Sequence, residues 1–123
     1  MAIAPLTSVT LDCPDPAALA SFYRDVAGGE IVYSSPEFVF LACAPLGLGF
    51  QRCEARAARW PDATEPLRVH LDFRVDSPDR LDELEARVVA LGARRPSSQP
   101  RPGSWRVLLD PAGHPFCLTS VTG

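Results

Sequence analysis

The chain has 123 residues, 46% hydrophobic and 22% charged, with a formal net charge of -3 from 12 basic and 15 acidic side chains. That length and balance fit one compact soluble domain. They exclude nucleic acid as the main partner, since phosphate binding needs clustered positive charge and the basic residues, all arginine, are scattered.

Leu6–Cys13 alternates Val9 and Leu11 with Ser8, Thr10 and Asp12, the period of a first strand. Cys-Pro-Asp-Pro ends it. Asp15 is an N-cap and Pro16 suits the first helical position, where its missing N–H costs nothing. Leu19, Phe22, Tyr23 and Val26 then follow at helical spacing, and Gly28-Gly29 supplies the stop. Ile31–Tyr33, Glu37–Ala44 and Leu48–Cys53 read as three short strands separated by turn residues.

Residues 54–66 are polar, contain two prolines and read as a linker with Trp60 inside it. Leu67–Val75 is the next strand, with Val69, Leu71, Phe73 and Val75 on the apolar face and Arg68, His70, Asp72 and Arg74 on the polar one. Ser77-Pro78 starts a second helix that turns Leu81, Leu84, Val88 and Leu91 inward and leaves Asp79, Asp82, Glu83 and Glu85 in solvent. Ala93–Ser97, Trp105–Leu109 and Phe116–Val121 are the closing strands, the last two joined by Asp-Pro-Ala-Gly-His-Pro.

Strand, helix and three strands thus occur twice, at residues 5–53 and 67–121. Ser8, Pro16, Leu19 and Val26 recur 62 residues on as His70, Pro78, Leu81 and Val88; Pro45, Gly47 and Phe50 recur 66 residues on as Pro111, Gly113 and Phe116. Two copies are duplication within one domain, too few for a solenoid.

No apolar run is long enough to cross a bilayer, and MAIAPLTSV carries no secretory signal. A cytoplasmic location is expected. Cys13, Cys43, Cys53 and Cys117 show no CxxC pair and are expected to be reduced and buried.

Several motifs carry a resemblance over nearly the whole chain. They are the D-P-x-x-L-x-x-F-Y helix start (Asp15–Tyr23), Trp60-Pro61, H-L-D-F (His70–Phe73) and W-R-V-L-x-D-P-x-G-H-P-F-C-L (Trp105–Leu118). With the paired βαβββ order, the chain resembles the vicinal oxygen chelate superfamily of glyoxalase I, bleomycin-resistance proteins and extradiol dioxygenases, in its small glyoxalase-like branch. The resemblance implies an α+β fold whose two tandem modules form an open curved sheet or cup, and a homodimer.

In metal-using members of that superfamily the ligands come from the first and last strand of each module. Those places here are Ser8, Gln51, His70 and Cys117. A hard divalent ion wants histidine and carboxylate donors, so no cofactor is expected; an ion, if bound, would use His70 and Gln51. His70 then either hydrogen-bonds a neighbour such as Asp72 or Gln51, or lines a ligand cavity as donor, acceptor or acid–base group. Trp60, Trp105, Phe38 and Phe40 are expected beside it, where flat side chains suit flat ligands, although core or linker packing explains them as well. Asp12, Asp72 and Asp110 are further acid–base candidates, with Asp110-Pro111 reading first as a turn start and His114 as an exposed turn residue. Cys117 as a nucleophile would need a base and a lowered pKa.

Three functions follow, in this order. The first is a metal-free binder of a small aromatic or polycyclic molecule, of the bleomycin-resistance kind. The second is a metal-free enzyme using His70 or Asp72 as acid or base. The third is a metal-dependent lyase, isomerase or dioxygenase.

Overall fold

A computed structural model describes residues 2–66 and 69–120. Seven strands and two helices run β1 (Ser8–Cys13), α1 (Pro16–Ala27), β2 (Glu30–Ser34), β3 (Phe38–Ala42), β4 (Gly47–Arg52), β5 (Leu71–Arg74), α2 (Leu81–Ala90), β6 (Trp105–Leu109) and β7 (Pro115–Thr119). They divide into two compact units, Met1–Arg56 and Ala57–Gly123, each an open sheet with one helix. The class is α+β, and the boundary falls inside the expected linker.

In the first unit the sheet order is β1-β4-β3-β2, with β1 parallel to β4 and the other pairs antiparallel. Such a parallel pair needs a crossover, and α1 begins it. The Asp15 side chain caps α1 by accepting the Ala18 N–H at 3.1 Å, and Gly28 ends it at a φ of 81°. Leu19, Phe22 and Tyr23 of α1 are buried, as are Val39, Leu41 and Phe50 of the sheet. Tyr23 stacks on Phe50 at 5.9 Å, which fixes the face the helix covers. Each such buried Leu or Phe contributes roughly 1.5–3 kcal/mol.

The second unit is shorter by a strand, its order being β5-β7-β6. The expected strand Ala93–Ser97 is reduced to a single bridge between Arg94 and Leu109. Pro96 has no N–H to continue that ladder, and the Gln99 side chain takes over. Its amide donates to the Val107 carbonyl at 2.8 Å and accepts the Val107 N–H at 2.9 Å, as a neighbouring peptide would. β5 also starts later than expected: Val69 is exposed, His70 precedes the strand, and Leu67, Arg68 and Val121 lie outside the described residues.

The second helix opens with a 3₁₀ turn, Pro78–Arg80, capped by Ser77, before α2 proper. Leu81 and Val88 are buried, but Leu91, past the helix end, is exposed. Glu85 and Asp82 do not merely face solvent. Arg106 of β6 reaches Glu85 at 3.0 Å and Asp82 at 2.8 Å, tying helix to sheet on the face that also carries Leu118, Phe116 and Leu108. Among the described residues no helix is long and apolar enough to cross a membrane.

Candidate functional site

Side-chain parity sorts the second sheet into two faces. The ladder pairs Leu71 with Phe116, Asp72 with Cys117 and Arg74 with Thr119 across β5–β7, and Trp105 with Thr119 and Val107 with Cys117 across β6–β7. Since Arg106 identifies the α2 face, Asp72, Arg74, Cys117, Thr119, Val107 and Trp105 share the opposite one.

His70, two residues before Asp72, joins them: its Nε2 lies 3.3 Å from Asp72 Oδ1. The donor atoms of His70, Asp72 and Cys117 all lie within 4.8 Å of one another. His70 and Asp72 remain open to solvent, at 43% and 58% side-chain exposure, whereas Cys117 on the central strand is buried. Trp105 is half-buried on the same face, and the Arg101 guanidinium stands 6.0 Å from its ring. Nothing in the local sequence pattern singled out Arg101.

Burial pushes the Cys117 thiol up to about 11, and the neighbouring Asp72 carboxylate adds to the rise by its charge and by hydrogen bonding. A nucleophilic cysteine needs the reverse. Cys117 is therefore a protonated wall residue at neutral pH.

Ser8 and Gln51 belong to the first unit. Gln51 is the ladder partner of Asp12, and Ser8 that of Gly47. This shifts the internal correspondence. If Gln51 matches Cys117, then Asp12 matches Asp72 and Thr10, not Ser8, matches His70. The strands therefore align at 60 residues (Thr-Leu-Asp-Cys on His-Leu-Asp-Phe) while the helices align at 62. Two residues are added between strand and helix in the second copy, and the shared Leu-Asp was the sequence signal for it.

Phe38 and Phe40 lie on the sheet face of the first unit that α1 leaves uncovered, in register with Gln51 and Gly49. A Cβ on Gly49 would stand 2.8 Å from the Phe38 ring and 2.7 Å from Thr10 Oγ1, and one on Gly47 would meet the Phe40 ring. The two glycines let the rings lie flat. Trp60 is half-buried in the linker, and Asp12 and Gln51 are exposed.

Asp110 and His114 build the turn before β7. Asp110 is wholly buried; one carboxylate oxygen accepts the N–H of Ala112 at 2.9 Å and of His114 at 3.0 Å. His114 is half-buried rather than exposed.

The resemblance implies a divalent ion, and the donors decide whether one fits. Only the His70 imidazole and Asp72 carboxylate suit a hard ion; the third group is a buried, protonated thiol. Mg²⁺ and Mn²⁺ prefer oxygen-rich sets, so this trio does not fit such an ion.

The model of a family described as a glyoxalase-like domain matches residues 8–119. No curated protein matches the chain. Among solved structures, a glyoxalase/bleomycin resistance protein/dioxygenase family enzyme from Burkholderia phytofirmans PsJN is 23% identical with a TM-score of 0.73, over 94% of this chain and 97% of that one. A glyoxalase-related enzyme from Fulvimarina pelagi is 24% identical with a TM-score of 0.68, over 95% and 88%. A mutant of the fosfomycin resistance protein FosX from Listeria monocytogenes, complexed with Mn(II) and 1S,2S-dihydroxypropylphosphonic acid, is 23% identical with a TM-score of 0.75, over 98% and 95%. Identities this low establish the shared fold alone. The chain belongs to the glyoxalase-like domain family.

Proposed function

We propose that this glyoxalase-like domain binds a small, flat organic molecule, aromatic or polycyclic, on the β5-β7-β6 face that carries His70, and binds it without a catalytic metal. The supporting observation is the 3.3 Å contact between His70 Nε2 and Asp72 Oδ1, solvent-accessible on one face with half-buried Trp105. Polar groups fix a ligand's orientation while the indole supplies apolar area. Within the first unit by itself, Phe38, Phe40, Ser8 and Gln51 are proposed as ligand-binding residues, and a cytoplasmic homodimer as the working form.

Against a hard ion, Cys117 offers a thiol and Gln51 a neutral amide at the positions that metal-using members employ. Acid–base catalysis is the second reading. A carboxylate within reach of one imidazole nitrogen orients the ring and leaves the other nitrogen free to exchange a proton with a substrate.

The test is tryptophan-fluorescence titration of chelator-treated protein against a panel of planar aromatic compounds. Saturable binding in the low micromolar range, weakened at least tenfold by Trp105→Leu and by His70→Ala, is expected. Turnover abolished in His70→Ala with binding kept would favour the second reading. No saturable binding by any planar compound would remove the first.

A further inference from the structure

Two arginines without a carboxylate partner stand at one end of the β5-β7-β6 face. We propose that the flat molecule bound on this face is an aromatic carboxylate, selected over neutral aromatics by Arg101 and Arg74 at the Trp105 end. The inference rests on the ligand-binding reading above and names the chemical class that the same face takes.

Arg101 is anchored through the chain on both sides. Pro100 and Pro102 flank it, and each proline fixes its own φ while restricting the residue before it. The Arg101 carbonyl accepts the N–H groups of Ser104 at 3.0 Å and Trp105 at 2.9 Å. Arg106 Nε donates to the Pro102 carbonyl at 2.6 Å, and Arg106 is itself tied to Glu85 and Asp82. The loop backbone is thus fixed to the sheet, and the Arg101 guanidinium stands 6.0 Å from the centre of the Trp105 ring. That distance is within reach of cation–π attraction. A guanidinium held over a ring keeps the N–H groups along its edge for a carboxylate, which they can meet in two parallel bonds.

Arg74 reaches the same end by register. It opposes Thr119 of β7, and Thr119 opposes Trp105 of β6, so the three form one row on one face. Adjacent strands lie about 4.8 Å apart, which sets the Arg74 and Trp105 backbones about 10 Å apart. One small aromatic acid can meet both.

Charge pairing sets these two arginines apart. Arg24, Arg52, Arg59, Arg80, Arg95 and Arg106 each face a carboxylate at 3.9 Å or less. Among the described residues no carboxylate pairs with Arg74 or Arg101. Of the ladder residues on this face only Asp72 is acidic, and it lies one row along, beside His70 and Cys117. Arg94, bridged to Leu109 at the far end of β6, adds a third arginine. The Trp105 end is therefore positive, and a bound carboxylate points there, away from Asp72.

Calorimetric titration with 2-naphthoate and 2-naphthamide tests the assignment, since the two share a ring system and differ in charge. At about 20 mM NaCl the naphthoate is expected to bind at least tenfold more tightly, and at about 300 mM the ratio should fall severalfold through screening. Arg101→Gln should lower the ratio at least fivefold, and Arg74→Gln about two- to fivefold. Both positions are exposed, so neither substitution removes packing from the core. Arg87→Gln, on the exposed side of α2, should leave the ratio as it is. Trp105→Leu should weaken both compounds.

Equal affinities for the two compounds, both weakened by Trp105→Leu, would overturn the carboxylate assignment and leave the ligand-binding reading standing. A ratio retained in both arginine variants would do the same. Naphthoate bound equally by the wild type and Trp105→Leu would reduce the effect to ionic attraction at the surface and overturn the assignment. Neither compound bound at either salt concentration also overturns it, and the wider planar panel then tests the ligand-binding reading alone.

Discussion

Asp72 of β5 and Cys117 of β7 are direct partners across a parallel ladder, with their side chains on the same face of the sheet. A carboxylate thus stands beside a buried thiol. Burial first, then the charge and hydrogen bonding of Asp72, raise that thiol to about 11. At pH 7 only about one molecule in ten thousand carries the thiolate. Iodoacetamide should therefore modify Cys117 at least a hundredfold more slowly than a free cysteine at pH 7.5, and Asp72→Asn should speed the reaction. Peptide mapping by mass spectrometry reads both. Rapid labelling of Cys117 in the wild type would contradict its burial and raised pKa beside Asp72.

The same thiol gives alkaline stability a sign. Its folded pKa, about 11, lies above the ordinary thiol value of 9.0. Below about pH 9 the thiol is neutral whether the chain is folded or unfolded, and its contribution is fully present. Between 9 and 11 the unfolded chain loses the proton first, so stability falls with rising pH. The loss approaches about 2–3 kcal/mol at pH 11 and beyond. Urea denaturation at pH 8, 9.5 and 11 should show this decline, and Cys117→Ala should flatten it. An equally steep decline in the variant would assign the effect elsewhere.

Asp110 holds the turn that delivers β7. Its buried carboxylate accepts two backbone N–H groups, from Ala112 and His114, and its own N–H donates to the His114 carbonyl at 2.9 Å. Asp110→Ala leaves those two N–H groups without their acceptor, at a cost of about 2–4 kcal/mol. Asp110→Asn keeps one acceptor oxygen and should lose about half as much. Denaturation midpoints at constant m-value test the order Asp, Asn, Ala; equal stability of all three would show that the turn forms without the carboxylate.

Gly49 is required by its neighbours rather than by its backbone. An added Cβ would stand 2.7 Å from Thr10 Oγ1 and 2.8 Å from the Phe38 ring. Gly49→Ala should therefore cost about 1–3 kcal/mol through displaced rings and strand. Phe38→Leu in the same chain should recover part of the loss, because the smaller side chain can give way. A double variant no more stable than Gly49→Ala alone would place the strain at Thr10.

The sequence by itself determined the order of elements apart from the strand expected at Ala93–Ser97, the caps at Asp15 and Ser77, and the strands Trp105–Leu109 and Phe38–Ala42 within a residue or two. These are set by local rules: alternation, helical spacing, a proline at the first helical turn, a glycine at the end. It also placed His70 and Asp72 on one face, since side chains two apart along extended backbone point the same way, although His70 itself lies just before β5. The joining of Cys117 to them was decided by the tertiary structure, through the β5–β7 register, a pairing of residues 45 apart that no local pattern encodes. The loss of the strand at Ala93–Ser97 and the use of Glu85 as an anchor for Arg106 were decided the same way. So was the match of Thr10, rather than Ser8, to His70. A two-residue insertion leaves each helix and each strand locally intact, and only hydrogen bonds between strands reveal which residues face each other.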